Sequence, residues 1–199
     1  MADLFARLSK LYQAGHSRKL SGLLSDANLS DGRATPAAVL IAVTDRPQPT
    51  VILTQRPRGM RDHPGQVAFP GGKLDPGETV IEAALREAEE ELALPPDSVR
   101  VIGTSDEYQT GTGFLVTPVL GVVPPDLDLT PSPAEVEAWF EAPLDRLLKP
   151  ANWERNEVHW RGAWRAYYEM HYEGFRIWGV TAAIILNLAR RIDVNALTD

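Results

Sequence analysis

A stripe of carboxylates on one helix constrains this chain more than any other feature. Glu87, Glu90 and Glu91 fall within Arg86-Glu87-Ala88-Glu89-Glu90-Glu91-Leu92. At about 100° per residue on a helix, Glu91 lies roughly 40° to one side of Glu87 and Glu90 roughly 60° to the other. Three like charges therefore share a narrow face, where neighbours at i,i+3 and i,i+4 repel. Ile81, Ala84, Leu85, Ala88 and Leu92 make an adjoining apolar face about 100° wide, as a core-packing helix requires. Glu82 and Glu89 point away from the stripe and read as solvated. Arg86 precedes Glu90 by four residues and is spaced to pair with it. Hard divalent cations take oxygen ligands, and Mg²⁺ is commonly held by one or two carboxylates plus substrate phosphates. The stripe points to a metal site for a phosphorylated substrate; the competing reading is an ordinary solvated acidic face.

Around this helix the chain reads as strands mixed with a few helices. Residues 3 to about 24 carry Leu4, Phe5, Leu8, Leu11 and Tyr12 at helical spacing, and 25–36 reads as a polar loop. Ala37–Val43 and Thr50–Gln55 form a hairpin-like pair joined by a loop too long for a tight turn. Gln66–Pro70 is a short strand leading into a Gly71-Gly72 turn. Further strands are expected over 99–105, 114–123 and 138–141, with a helical turn at 144–148. The aromatic-rich stretch 158–177 has Arg161-Gly162 and Glu173-Gly174 as turn signals. A closing helix spans 178–192, with Val180, Ala183, Ile184 and Leu188 on one side.

Between the second strand and the glycine turn lies the densest positive patch, Arg56, Arg58, Arg61 and His63. The whole chain carries a net charge of −7. Guanidinium groups suit phosphate oxygens, which they bind in bidentate fashion. A patch beside the carboxylate helix therefore fits an anionic substrate, whereas the overall acidity argues against general nucleic-acid binding. Cysteine is absent, so thiol nucleophiles, disulfides and zinc-thiolate sites are excluded. That absence fits a cytoplasmic protein. The longest apolar runs, 37–43 and 177–188, are too short to span a bilayer, and no membrane partner is expected. His16, His159 and His171 have no metal-ligand spacing. At 199 residues one domain is expected: a helix and linker over 1–34, then a core over 35–193.

Gly72-x5-Glu78-x7-Arg86-Glu87-Ala88-Glu89-Glu90-Glu91-Leu92-Ala93-Leu94 resembles the Nudix box in every spacing. Ala93 stands where that family usually has glycine, which would end the helix in a left-handed conformation. Here Pro95 and Pro96 are expected to supply the stop instead. Upstream, Leu53-Thr54-Gln55-Arg56, Arg61, Gly65 and Phe69-Pro70-Gly71-Gly72 resemble the signature of the coenzyme A pyrophosphatase branch. Pro57 departs from the serine or alanine usual there. Two shorter stretches, 108–118 and 177–182, extend the similarity, which runs from about Thr35 to Arg191.

The resemblance implies an α/β fold, a Nudix-type α/β/α sandwich with a mixed β-sheet between helices. It implies metal-dependent hydrolysis, with Mg²⁺ or Mn²⁺, of the diphosphate of coenzyme A or its thioesters. The products are 3′,5′-ADP and 4′-phosphopantetheine or its acyl form. Glu87 and Glu91 are the strongest metal ligands; Glu90 is a third ligand or a partner bridged through water. Glu87, Glu90 and Arg86 make the catalytic set, with Glu87 favoured to orient or deprotonate the water. The loop carboxylates Glu107, Glu135 and Glu137 are alternatives for that role. Glu78 is expected to stabilise the loop and the helix N-terminus. Arg56, Arg61, His63, Gly71 and Gly72 are expected to bind substrate, a small molecule, and a homodimer is compatible with the sequence. The aromatics Trp153, Trp160, Trp164, Tyr167, Tyr168 and Tyr172 either build the core or contact an adenine or pantetheine arm. Two rivals remain open: a Nudix pyrophosphatase acting on ADP-ribose, NADH or another nucleoside diphosphate derivative, and a non-catalytic nucleotide-sensing module.

Overall fold

Apolar residues at alternate positions of one central strand set up the architecture. In β1 (Thr35–Thr44), Ala38, Leu40 and Ala42 are buried on one side of the sheet, and Ala37, Ile41 and Val43 on the other. A strand covered on both faces reads as a continuous apolar run, which is why residues 37–43 stand out in the sequence. The computed structural model describes residues 3–29, 34–60, 63–160 and 163–197. It shows a mixed eight-stranded sheet with the order β3-β2-β1-β7-β5. Here β2 is Thr50–Gln55, β3 Val67–Ala68, β4 Gly71–Lys73, β5 Arg100–Thr104, β6 Tyr108–Gln109, β7 Phe114–Val123 and β8 Ala138–Pro143. β4 adds to β1, β6 to β7 and β8 to β2. β1 and β7 run parallel from Thr35↔Phe114 to Thr44↔Val123.

Helix α2 (Val80–Leu92) covers one face, packing Ala83, Ala84, Ala88 and Leu92 on Leu40 and Ile52. α1 (Leu4–His16) and α4 (Val180–Arg191) cover the other, through Leu4, Leu8, Ile184 and Leu188. This is the expected α/β/α sandwich. A short helix, α3 (Leu144–Leu147), leads to a separate three-stranded sheet, β9 (Glu154–Trp160), β10 (Ala163–Tyr172) and β11 (Phe175–Trp178), in the order β11-β10-β9. The Glu173-Gly174 turn joins β10 to β11, both residues having positive φ; Arg161-Gly162 lies outside the described residues. No helix among the described residues is long and apolar enough to cross a membrane.

Three local expectations are corrected. α1 ends at His16 rather than near 24, because Arg191 takes the Gly15 and Arg18 carbonyls and pins the chain there. The expected Gly71-Gly72 turn is instead strand β4, paired with β1 through Val39↔Gly71 and Ala38↔Gly72. A Cβ on Gly71 would overlap the Ala38 carbonyl and lie 2.7 Å from Val39 Cα, so this close approach needs glycine. The α2 stop comes from Ala93 itself, which adopts a left-handed conformation (φ 54°). Ala93 N–H bonds Glu89 O at 2.8 Å, and Leu94 N–H reaches Ala88 O at 3.4 Å, an αL-type end formed without glycine.

Candidate metal centre and active site

α2 starts at a capping box: the Thr79 hydroxyl accepts from Glu82 N–H, and the Glu82 carboxylate accepts from Thr79 N–H. From this fixed start, the helical repeat carries Arg86, Glu87, Glu90 and Glu91 to the edge of the sheet where β4 passes. The Glu87 carboxylate lies against Gly72, where any Cβ would overlap it. Glu91 is 6% exposed, and the backbone N–H of Gly71 is the group that favours its charged form. The two glycines thus act through their backbone, Gly72 by admitting one carboxylate and Gly71 by favouring the charge of the other.

Arg86 organises the exposed side of the stripe. Its Nε and Nη2 grip Glu78 at 2.8 and 3.1 Å, and its Nη1 donates to Glu87 and Glu90, each at 3.0 Å. Nη2 also donates to the Lys73 carbonyl, tying the helix to β4. Glu78 in turn accepts from Asp75 N–H at 2.9 Å, so it holds the loop before the helix. Glu90 remains 54% exposed with Arg86 as its partner.

The loop after β7 contributes a further carboxylate. Thr130 N–H and Ser132 N–H take the Leu92 and Glu91 carbonyls at the open end of α2, both at 2.8 Å. Glu135, one turn later, is thereby carried to the stripe. Glu87, Glu91 and Glu135 each offer an oxygen within 4.8 Å of the others, the grouping of this kind among the described residues. Sequence reading had Glu135 only as one of three loop carboxylates for proton transfer; it lies outside any periodic pattern that would reveal a ligand. Of the other two, Glu137 accepts from Arg58 N–H at 2.8 Å and faces its guanidinium at 3.6 Å, while Glu107 is exposed.

Electrostatics test whether this donor set fits a cation. Burial, then the neighbouring Glu87 charge, push the Glu91 carboxyl up to about 8, against the Gly71 N–H and the more distant Arg56 charge. Burial also raises Glu87, although Arg86 counters it. An all-oxygen set of crowded carboxylates, running from buried Glu91 to exposed Glu135, suits a hard divalent cation, whose charge removes the repulsion that the bare cluster carries.

The basic loop flanks the cluster. Arg56 N–H bonds Gln66 O at 3.0 Å across the loop's base, and the Arg56 Nε is buried with no hydrogen-bond partner among the described residues. Arg58 is on the surface, paired with Glu137. Pro57 opens a turn closed by Met60 N–H, and His63, at φ 54°, is exposed on the far limb. Arg61 lies outside the described residues. The aromatics divide: Trp153 is core, its Nε1 bonded to Leu147 O at 2.8 Å, whereas Trp164 is 72% exposed. His16 stacks on Tyr12 and bonds Ser105, well integrated into α1 packing.

Comparison with known proteins agrees with this geometry. The model of the NUDIX domain family matches residues 34–161. The Uncharacterized Nudix hydrolase NudL of Escherichia fergusonii is 49% identical over 159 residues, covering 79% of this chain and 83% of that protein. Its namesake from Klebsiella pneumoniae subsp. pneumoniae is 47% identical over 157 residues, covering 78% and 82%. Among solved structures, the Nudix hydrolase RenU from M. Smegmatis superposes with a TM-score of 0.51 at 25% identity, over 64% of this chain and 82% of that one. The C. elegans Ap4A hydrolase in a binary complex shares the fold, with a TM-score of 0.50 at 24% identity over 59% and 86%. With the carboxylate helix, the glycine strand that receives it and the sandwich that carries both, this chain belongs to the Nudix family and is a Nudix pyrophosphatase.

Proposed function

We propose that the chain hydrolyses the diphosphate bond of coenzyme A or its thioesters, giving 3′,5′-ADP and 4′-phosphopantetheine or acyl-phosphopantetheine. The observation that carries this reading is the placement of Arg56. It stands at the base of the basic loop that resembles the coenzyme A pyrophosphatase signature, and its Nε is buried with no hydrogen-bond partner among the described residues. A guanidinium there faces the diphosphate of a bound substrate.

In this reading Glu87, Glu91 and Glu135 hold Mg²⁺ or Mn²⁺. Bound there, a cation would supply Lewis-acid charge for the diphosphate oxygens and the attacking water. Glu90 is a partner bridged through water, steadied by Arg86. Glu87 takes the proton of the attacking water, with Arg86 fixing one of its oxygens at 3.0 Å. Gly71 and Gly72 admit the substrate phosphates close to the backbone, and Arg61 and His63 add positive charge from the loop. No cysteine is available for a covalent intermediate, which favours direct attack of water on phosphorus. Residues 1–199 act as one domain, since Leu4 and Leu8 of α1 belong to the same core as the sheet.

The test is product analysis after incubation with coenzyme A or acyl-coenzyme A and Mg²⁺ or Mn²⁺ in ¹⁸O-water, with ADP-ribose and NADH as comparison substrates. Expected are one labelled phosphate product and an acyl-phosphopantetheine with its thioester preserved. Intact coenzyme A beside faster cleavage of ADP-ribose or NADH would move the substrate elsewhere within the family; release of a free fatty acid would contradict attack on phosphorus.

A further inference from the structure

Three consecutive residues of the loop before β8 go to three different places. Glu135 joins the carboxylate cluster. Val136 is 2% exposed and packs in the same core cluster as Ala88 and Leu92 of α2. Glu137 turns to the basic loop, where its carboxylate accepts from Arg58 N–H at 2.8 Å. The buried valine between the two acids pins this short segment, so what Glu137 holds is held in fixed relation to Glu135.

Glu137 grips the chain on both sides of Arg56. Its backbone N–H donates to Gln55 O at 2.8 Å, one residue before Arg56, and its carboxylate takes the N–H two residues after. The available donors dictate that choice. Arg56 N–H is committed to Gln66 O at 3.0 Å, and Pro57 has no N–H to give. Arg58 N–H is therefore the first donor past Arg56 that another segment can hold. Beyond it, Met60 N–H closes the turn on Pro57 O at 3.2 Å, and Gln55 Nε2 reaches Gly65 O across the loop at 3.3 Å. With the backbone clamped before and after it, Arg56 keeps a buried Nε without a hydrogen-bond partner among the described residues. That donor is left over for a substrate oxygen.

The ion pair beside this bond is the weaker link. Arg58 Nε lies 3.6 Å from Glu137, and the two side chains are 78% and 40% exposed; pairs so exposed contribute little. A carboxylate on a backbone N–H is a charge-assisted hydrogen bond, and it orders the turn whatever side chain the turn carries.

We propose that Glu137 is a positioning residue for the hydrolysis: by holding Arg58 N–H it sets Arg56 against the diphosphate, in register with Glu135. The proposal rests on the reading of Arg56 as the guanidinium that meets the diphosphate. It gives Glu137 a role that a glutamine can fill, unlike the activation of water.

The test compares Glu137→Ala, Glu137→Gln, Arg56→Ala and the double variant Glu137→Ala/Arg56→Ala in the full chain. The substrate is whichever of coenzyme A, ADP-ribose and NADH the wild type cleaves fastest. Glu137→Ala is expected to raise KM about tenfold while kcat stays within about threefold. Glu137→Gln, whose amide oxygen still accepts from Arg58 N–H, is expected to behave as the wild type does. In the Arg56→Ala background Glu137→Ala should raise KM no further, because its effect passes through Arg56. Hydrogen–deuterium exchange over residues 56–60 gives a readout that needs no substrate: faster in Glu137→Ala, unchanged in Glu137→Gln. Unchanged exchange in Glu137→Ala overturns the proposal, as does an equal loss of activity in Glu137→Gln or an additive loss in the double variant. If Arg56→Ala raises KM and Glu137→Ala does not, the positioning role alone falls. If Arg56→Ala leaves KM unchanged, the reading of Arg56 falls and takes the proposal with it.

Discussion

Two carboxylates are drawn out of water in this fold, and the chain treats them in opposite ways. Asp106, after β5, meets Arg191 of α4 in a two-point pair at 2.6 and 2.8 Å, with both side chains largely buried. The Arg191 hydrogen bonds hold the Asp106 carboxyl below its ordinary range despite burial. Glu91 of α2 is buried as well, yet among the described residues it makes no salt bridge; its neighbours Glu87 and Glu135 are themselves acidic. One carboxylate is neutralised by the chain itself and holds a helix in place. The other is left short of positive charge at the edge of a basic loop. Charge balance therefore separates a structural acid from one kept for a ligand, where burial alone does not.

Removing one charge from each of the two sites separates their roles. Glu91→Gln is expected to lower kcat by a hundredfold or more, several kcal/mol of lost metal-assisted stabilisation being typical. Its thermal midpoint without metal should stay level or rise, because a repelling charge has gone. Near-normal kcat at saturating metal, or a collapse of the fold, would assign Glu91 a structural role like that of Asp106.

Asp106→Asn is expected to do the reverse: lose about 3 kcal/mol in urea unfolding by leaving Arg191 buried without its counter-charge, while the folded fraction keeps its kcat. The pH dependence carries the sign. A carboxyl lowered in the folded state contributes stability that is present above its unfolded value, about 4, and fades as pH falls through its lowered folded value. The gap between wild type and Asp106→Asn should therefore be full near pH 7 and shrink below about pH 4. A gap independent of pH across that window would mean that packing, not charge, ties Asp106 to α4.

A smaller effect is expected at the end of α2. Ala93 holds a left-handed conformation that disfavours a side chain, and it is exposed. Ala93→Gly should relieve the strain at some cost in unfolded-chain entropy, raising stability by about 0.5 kcal/mol in urea unfolding. A loss of stability would show that the strain at Ala93 is negligible.

The same contrast explains what could be read from the sequence. α2 was legible because a 3.6-residue repeat and fixed charge spacings act locally; the Glu82 half of its capping box was not, since Glu82 reads as an ordinary solvated acid. The β1 core was legible because burial on both faces leaves a continuous apolar run. Strand β4 was not: two glycines look like a turn, and only the approach of β1 and the Glu87 carboxylate makes them a strand. Glu135 and the Asp106–Arg191 pair were not assigned their places either, since each joins residues far apart in the chain without periodicity. α1 was read too long because its end is set by Arg191, some 170 residues away.

If Glu87, Glu91 and Glu135 together bind a divalent cation, removing one of these carboxylates weakens the binding of that ion. The most direct measurement is Mn²⁺ titration followed by electron paramagnetic resonance on the wild type, Glu91→Gln, Glu135→Gln and Glu137→Gln. Glu91→Gln and Glu135→Gln are each expected to weaken Mn²⁺ binding about tenfold or more, while Glu137→Gln, which alters a carboxylate that serves Arg58, binds as the wild type does. Wild-type affinity in both Glu91→Gln and Glu135→Gln would contradict a site shared by the three carboxylates.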